Sequence, residues 1–228
     1  MIALCLGSCA ETKSVRDDKI QKEDFKLSSL AKNDIDEFME IHVRRARVHL
    51  RDLLLKLYKR NPRELKKSPY PSAKENAERI FSRTTNWNFR ELDGVQGTDA
   101  ITQAFNDDYP GDRVFAFVMG MTSMVMASYH YKTEFFIYDG IDPQGLYNSA
   151  RNIEIAVWKL EHSRDRNGEL FLLSNSRPGE PGNLSYERLL GKLISLQDTM
   201  AEVIAASANR TISKIIQRMA TAVFLPIP

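Results

Sequence analysis

One uncharged stretch limits the possible folds of this chain more than any other feature. From Val114 to His130 the sequence runs VFAFVMGMTSMVMASYH, without an Asp, Glu, Lys or Arg. A helix that is apolar on every face has no side for water, so it lies in a protein core or in a membrane. A membrane span needs about 20 predominantly apolar residues, and Thr122, Ser123 and Ser128 dilute this shorter run. We therefore predict that it forms the central helix of a helical domain.

The composition of the chain narrows its possible chemistry. Among 228 residues, 43% are hydrophobic and 27% are charged, which is ordinary for a globular protein. A formal net charge of +2 does not indicate a nucleic-acid partner. No phosphate loop, dinucleotide fingerprint, nucleophile elbow or zincin motif occurs. With only four histidines and two cysteines, we expect neither a metal site nor a cofactor, and we assign no catalytic residue.

Helical periodicity and caps mark further helices before the central run. Apolar residues spaced by three and four predict a long amphipathic helix from Ile35 to Tyr58. Ser72, with Glu75 three residues later, forms a capping box for a shorter helix, and Thr98 is predicted to cap another. Residues 63–72 are interpreted as an exposed connection. The first helix also carries a group of arginines, interpreted as a solvated face or as partners of carboxylates: Arg44, Arg45, Arg47 and Arg51.

Two long helices are predicted after the central run. Asp142 and Pro143 supply an N-cap and a first residue for a helix that continues to about Leu160. The last long helix begins at Asn183 or Ser185. Its inward stripe consists of Tyr186, Leu190, Leu193, Gln197, Met200, Ile204 and Ala208.

The C-terminal segment offers alternatives. Residues 209–211 are expected to kink the last helix or to restart it, because apolar residues recur beyond them at Ile212, Ile215, Ile216 and Met219. Residues 223–228 are apolar and contain two prolines, which prevents a helix. This tail either folds back on the domain or is offered to a partner.

Together these segments predict an all-α fold, a single bundle-like domain of about five to seven helices around the central helix. The expected β structure is at most a minor two-stranded element, in which residues 169–173 pair with residues 135–138. The central helix has a row of small residues at Ala116, Gly120, Ser123 and Ala127. We expect this row to pack closely against a second row, formed by Ala201, Ala205 and Ala208.

The N-terminus carries a motif of a different kind. Leu6-Gly7-Ser8-Cys9 resembles the lipobox of bacterial lipoproteins. The resemblance implies that the chain is cleaved before Cys9 and that Cys9 is the lipid attachment site. Because Ala10 follows, it also implies an outer-membrane location with the domain facing the periplasm. The alternative is an apolar N-terminus without a lipid.

The domain organisation follows from this resemblance and from composition. Residues 1–8 form a short segment that resembles a signal peptide, residues 9–33 form a polar tether, and residues 34–228 form the helical domain. The tether is polar and mixed in charge, as in a solvated linker. As a flexible coil it would hold the domain roughly 25–30 Å from the anchor.

The densest polar cluster lies around the end of the central helix and the start of the next one. Its candidate ligand- or partner-binding residues are His130, Asp139, Tyr147, Arg151 and Glu154. The last three are spaced by four and three, so they share one helix face. As a site, His130 would act as acid or base, oriented by Asp139 or Glu154, or Arg151 would receive a carboxylate. As structure, the same residues cap helices and bond to one another.

Three functions from different classes fit the sequence. The first is a non-catalytic binding, scaffold or assembly accessory protein of the cell envelope, held at the membrane through Cys9 and bound to another envelope protein. The second is a binder of an apolar small molecule or lipid among the methionines of the central helix. The third is a small hydrolase that uses His130.

Overall fold

A computed structural model describes residues 34–82, 87–136, 140–176 and 179–227, and it confirms the all-α prediction. Seven α-helices occur in these residues, with no strand. An isolated antiparallel bridge joins Arg164 to Leu170, so the apolar run 169–173 pairs locally and not with Phe135 or Phe136 as expected. The helices are α1 (Asp34–Arg60), α2 (Pro62–Leu65), α3 (Ala73–Phe81), α4 (Gly97–Ala104), α5 (Arg113–Ala127), α6 (Pro143–His162) and α7 (Ser185–Ser207).

Helix α5 is the predicted central helix. Every residue from Arg113 to Met126 is buried, as expected of a helix that is apolar all round. Asp112 caps its N-terminus by accepting a hydrogen bond from the Phe115 amide at 3.0 Å. The helix ends at Ala127 and not at His130, because the chain then reverses through a left-handed backbone conformation (φ of 53° at His130). Over the residues described, none of the helices combines the length and apolarity that crossing a bilayer requires.

The small-residue row of α5 packs against α4, and the prediction that it faces α7 is wrong. A Cβ atom on Gly120 would lie 2.7 Å from the Gly97 carbonyl oxygen and 2.8 Å from the Ile101 amide nitrogen. The Ser123 hydroxyl accepts a hydrogen bond from the Gly97 amide at 2.8 Å. This bond satisfies one free amide of α4, whose N-cap is Gln96 and not Thr98 as predicted. Helix α7 instead packs against α6 and α1.

The predicted helix starts at α3 and α6 are confirmed. The Ser72 hydroxyl accepts from the Glu75 amide at 3.1 Å, and the Asp142 carboxylate accepts from the Gln144 and Gly145 amides. The connection after α1 differs from the prediction in its first part, because it forms the short helix α2. Glu64 of this helix is buried and accepts from the Arg113 amide at 2.8 Å.

The C-terminal segment folds back on the domain. Helix α7 ends at Ser207, and residues 210–218 are not helical, so they neither kink nor restart α7. Phe224 and Ile227 pack partly buried against the core. The Asn148 side chain donates to the Pro226 carbonyl at 2.8 Å. One of the two predicted alternatives for the tail is therefore confirmed.

Candidate functional site

The structure brings three of the predicted site residues together on α6. The Arg151 guanidinium lies 3.1 Å from the Glu154 carboxylate and 5.1 Å from the centre of the Tyr147 ring. It also donates to Asp198 of α7 at 2.7 Å, a partner that the sequence analysis did not include. The pKa values of Glu154 and Asp198 are both raised, because the effect of burial outweighs the charge of Arg151, which lowers them. The cluster therefore ties α6 to α7.

The C-terminal segment engages this cluster from outside. The Tyr147 hydroxyl lies 3.3 Å from the Ile215 amide, from which it accepts, and 3.4 Å from the Ile215 carbonyl, to which it donates. A tyrosine whose hydroxyl already holds a backbone segment is not free to bind a ligand. The structural interpretation of these residues therefore fits their contacts better than a ligand site does.

The other predicted site residues lie elsewhere. His130 occupies the exposed turn after α5, and the bonds that join Tyr147, Arg151, Glu154 and Asp198 do not include it. Asp139 and Cys9, the predicted lipid-attachment residue, lie outside the described residues.

A groove of about 520 Å³ along α1 is a stronger candidate for a binding site. Residues of α1 form one wall, and the end of α3 and the segment after α5 complete it. Its lining consists of Glu40, Val43, Arg44, Arg47, Val48, Arg51, Phe81, Thr133 and Glu134.

Three arginines on successive turns of α1 line this groove. Arg44, Arg47 and Arg51 are spaced by three and four, so their side chains lie on one helix face. Arg44 and Arg51 form no ion pair within the part of the chain that the structure describes. The nearby negative charges are Glu40, which accepts from the Phe135 amide at 3.1 Å, and Glu134. Three arginines face two glutamates here, so the groove is positive.

Arg47 is the middle residue of the row. Its Nη2 atom donates to the Phe81 carbonyl oxygen at the end of α3. Its Nη1 atom is buried and has no hydrogen-bond partner over residues 34–82, 87–136, 140–176 and 179–227. Burial lowers the pKa of Arg47, yet a guanidinium stays charged at neutral pH. This atom has almost no accessible surface, so a ligand oxygen would reach it only if the Arg47 side chain moved.

Exposed apolar side chains lie beside the arginines on α1. Ile41 and Val48 are 39% and 46% exposed, respectively, and they lie two turns apart on one face. Surfaces that bind proteins are enriched in aromatic residues and arginine. The groove and its rim therefore have the composition of a protein-binding surface.

The sequence predicts a solvated face or carboxylate partners for these arginines, and no binding site. Arg47 follows the buried Val43 by one turn, so its side chain starts near the inward face of α1. That position is the one signal that would have separated it from Arg44 and Arg45. Its partner, the Phe81 carbonyl, is 34 residues away, and no local pattern reveals such a contact.

The main buried polar network is fully bonded within itself. Gln197 of α7 accepts from the Tyr129 hydroxyl at 2.7 Å and donates to the Ser149 and Ser128 hydroxyls at 2.8 and 3.2 Å. These bonds link α7 to α6 and to the end of α5, and they leave the Gln197 amide no free donor. In the described part of the chain, no three His, Cys, Asp or Glu side chains converge as metal ligands would.

Comparison of this chain with known protein families, with curated proteins and with solved structures finds no significant match.

Proposed function

We propose that this chain is a non-catalytic binding, scaffold or assembly accessory protein of the cell envelope, anchored by a lipid on Cys9. We further propose that the α1 groove binds an acidic segment of another envelope protein. The row of Arg44, Arg47 and Arg51 along the groove, in which Arg44 and Arg51 form no ion pair over the described residues, supports this proposal most strongly.

The chemistry of the row selects carboxylates. A guanidinium matches a carboxylate with two parallel N–H···O bonds, which makes the pair both strong and specific in geometry. Arg44 and Arg51 are separated by about 10.5 Å along the helix axis. Two or three carboxylates of one acidic segment can therefore contact the row together. Ile41 and Val48 beside it would bury apolar surface of the same partner.

The apolar-ligand hypothesis gains no support from the central helix. All four of its methionines are at most 2% exposed and belong to the packed core. Methionine is a flexible side chain that fills irregular gaps in cores. Their contacts therefore favour packing. The methionines are Met119, Met121, Met124 and Met126.

The proposal is tested by photo-crosslinking in cells that make the full-length protein. A photoreactive amino acid at Val48 should give one defined protein adduct. Arg47→Met in the same chain should remove that adduct. The control position is Leu184, an exposed apolar residue at the start of α7, where the same adduct should not form. An adduct that forms equally at Leu184, that persists without Arg47, or that contains only lipid would contradict the proposal.

A further inference from the structure

The segment after α7 has the sequence pattern of an α-helix but forms none. The inward stripe of α7 continues in phase beyond Ile204 and Ala208 through Ile212, Ile215 and Met219. In the structure residues 210–218 are not helical, Met219 begins a short 3-10 helix (Met219–Thr221), and Ile215 and Ile216 are 43% and 99% exposed. Natural sequences usually agree with their structure at every level. The disagreement here indicates a second conformation in which the segment is helical.

Two residues, Ala208 and Asn209, separate α7 from this segment. Asn209 has a left-handed backbone conformation with φ of 52°, which asparagine tolerates better than most residues. The Arg210 amide then donates to the Ala205 carbonyl at 2.9 Å and closes the helix end. We call residues 210–227 the strap. For α7 to continue into the strap, Asn209 would have to leave this conformation and residues 210–218 would have to become helical.

The end of the strap docks on α6 through contacts that any copy of the chain could supply. The fully buried Asn152 accepts from the Leu225 amide at 2.7 Å and donates to the Leu225 carbonyl at 2.8 Å. Lys159 lies 5.9 Å from the centre of the Phe224 ring. These bonds join the strap to α6 and do not depend on how the strap is connected to α7.

We infer that the strap exchanges between two copies of this chain. In the exchanged state Asn209 becomes helical, α7 continues to about Met219, and residues 223–227 dock on α6 of the second copy. The continued helix rises by about 16.5 Å from Ala208 to Met219, which carries the tail away from its own α6. The contacts of residues 224–226 with α6 are retained, because swapped elements make the same contacts in another copy. The bonds of Tyr147 with Ile215 and of Gln144 with Ser213 are exchanged for backbone bonds of the continued helix. In the exchanged dimer, the continued α7 helices of the two copies would pair and cover Ile216, which is exposed in the single copy.

Crosslinking between two full-length variants tests the exchange. Both chains carry Cys5→Ser and Cys9→Ser, so that the only thiol is the one introduced. One chain carries Asn148→Cys and the other Pro226→Cys, because these two residues contact each other. The chains are mixed at high concentration and treated with a short bis-maleimide. Exchange predicts a covalent heterodimer, whereas a heterodimer that never forms at any concentration would overturn the inference.

Two hinge variants provide an independent readout. Asn209→Ala disfavours the left-handed conformation and should raise the dimer fraction, with an increase in the dimerisation constant of about tenfold. Asn209→Gly favours that conformation and should lower the dimer fraction. Light scattering during size-exclusion chromatography measures both, and circular dichroism should show more helix in the alanine variant. Equal dimerisation of the two variants, or a dimer without the 148–226 link, would overturn the inference.

Discussion

The side-chain amide of Asn152 forms hydrogen bonds with both the amide and the carbonyl group of Leu225. Its oxygen accepts from the Leu225 amide at 2.7 Å and its nitrogen donates to the Leu225 carbonyl at 2.8 Å. Asn152 is fully buried on α6, so the two bonds are shielded from water. A side chain that bonds to both backbone groups of one residue binds an extended segment. In this protein that segment is the apolar C-terminal tail.

This arrangement predicts that Asn152→Ala loosens the tail. The change removes both bonds and leaves the backbone groups of Leu225 without partners. Each buried polar group without a partner lowers the free energy of unfolding by about 1–3 kcal/mol. Because water partly reaches the Leu225 backbone, we expect a loss near the lower end of this range. Urea unfolding should show the loss, and carboxypeptidase should remove the tail faster. Asn148→Ala removes only one bond to the tail, at Pro226, and should cost less. Parent-like stability and digestion in Asn152→Ala would contradict this account.

Asp112 gives the stability of the domain a defined pH dependence. Burial raises its pKa from 3.8 to about 6, although hydrogen bonds from the Tyr58 hydroxyl and the Phe115 amide oppose the shift. The folded state therefore holds this proton at a higher pH than the unfolded state does. The protonated Asp112 therefore makes its whole contribution to the free energy of unfolding below about pH 4. This contribution is lost as the pH rises through about 6.

We predict that Asp112→Asn removes this loss. Asparagine can still accept from the Phe115 amide and can donate to the Tyr58 oxygen, but it does not titrate. One pKa unit corresponds to about 1.4 kcal/mol, so the parent should lose on the order of 2 kcal/mol more than the variant between pH 4 and 7. Urea unfolding across this range measures the difference. The same pH profile in both proteins would show that Asp112 is not the cause.

Gly120 is predicted to tolerate no side chain. Its Cβ position is occupied by backbone atoms of α4, at Gly97 and Ile101, which cannot move aside as a flexible side chain can. Gly120→Ala should therefore lower the free energy of unfolding by about 1–3 kcal/mol, as overpacking does, and Gly120→Leu should lower it further.

The matched control for Gly120 is Gly191, a helical glycine in α7 with open space at its Cβ position. Gly191→Ala should stabilise the protein by up to about 1 kcal/mol, because alanine has the higher helix propensity. Thermal unfolding of the two alanine variants should shift in opposite directions. A shift to higher temperature in both would refute the close approach of α4 and α5.

The sequence predicts the helices better than their partners. Ser72 and Asp142 mark helix starts because an N-cap is a local interaction. The uncharged run at α5 predicts burial because no other environment suits it. The small row through Gly120 predicts close packing but not the identity of the neighbour, which is α4. The reason is that contact between helices depends on loop paths that periodicity does not encode.

In the candidate sites, too, contacts within one helix are predicted from the sequence and contacts between helices are not. Tyr147, Arg151 and Glu154 meet as predicted, since one helix face fixes their spacing. Asp198 completes that cluster from α7, a distant element, and was not predicted. Arg47 depends likewise on the Phe81 carbonyl at the end of another helix.

The lipid anchor makes a separate prediction about Cys9. Each buried methylene of an acyl chain contributes about 0.8 kcal/mol, and stable attachment needs more than one chain. If Cys9 is acylated, the full-length protein should sediment with membranes, and Cys9→Ser should release it or leave it unprocessed. Cys5→Ser is the matched control and should fractionate like the parent. Equal fractionation of the parent and both variants would exclude lipidation at Cys9.

The binding role of the α1 groove is tested most directly by the affinity of the purified full chain for a labelled acidic probe peptide of glutamates and leucines. Fluorescence anisotropy at low salt should show that Arg47→Met weakens binding by about tenfold or more, since losing one partner of a buried charge pair costs 2–5 kcal/mol. Arg45 is exposed on the same helix and does not line the groove, so Arg45→Gln should change the affinity by less than about threefold, the effect of an exposed ion pair. Equal weakening by the two changes, in variants that both keep the parent's melting temperature, would contradict the assignment of the groove as the binding site.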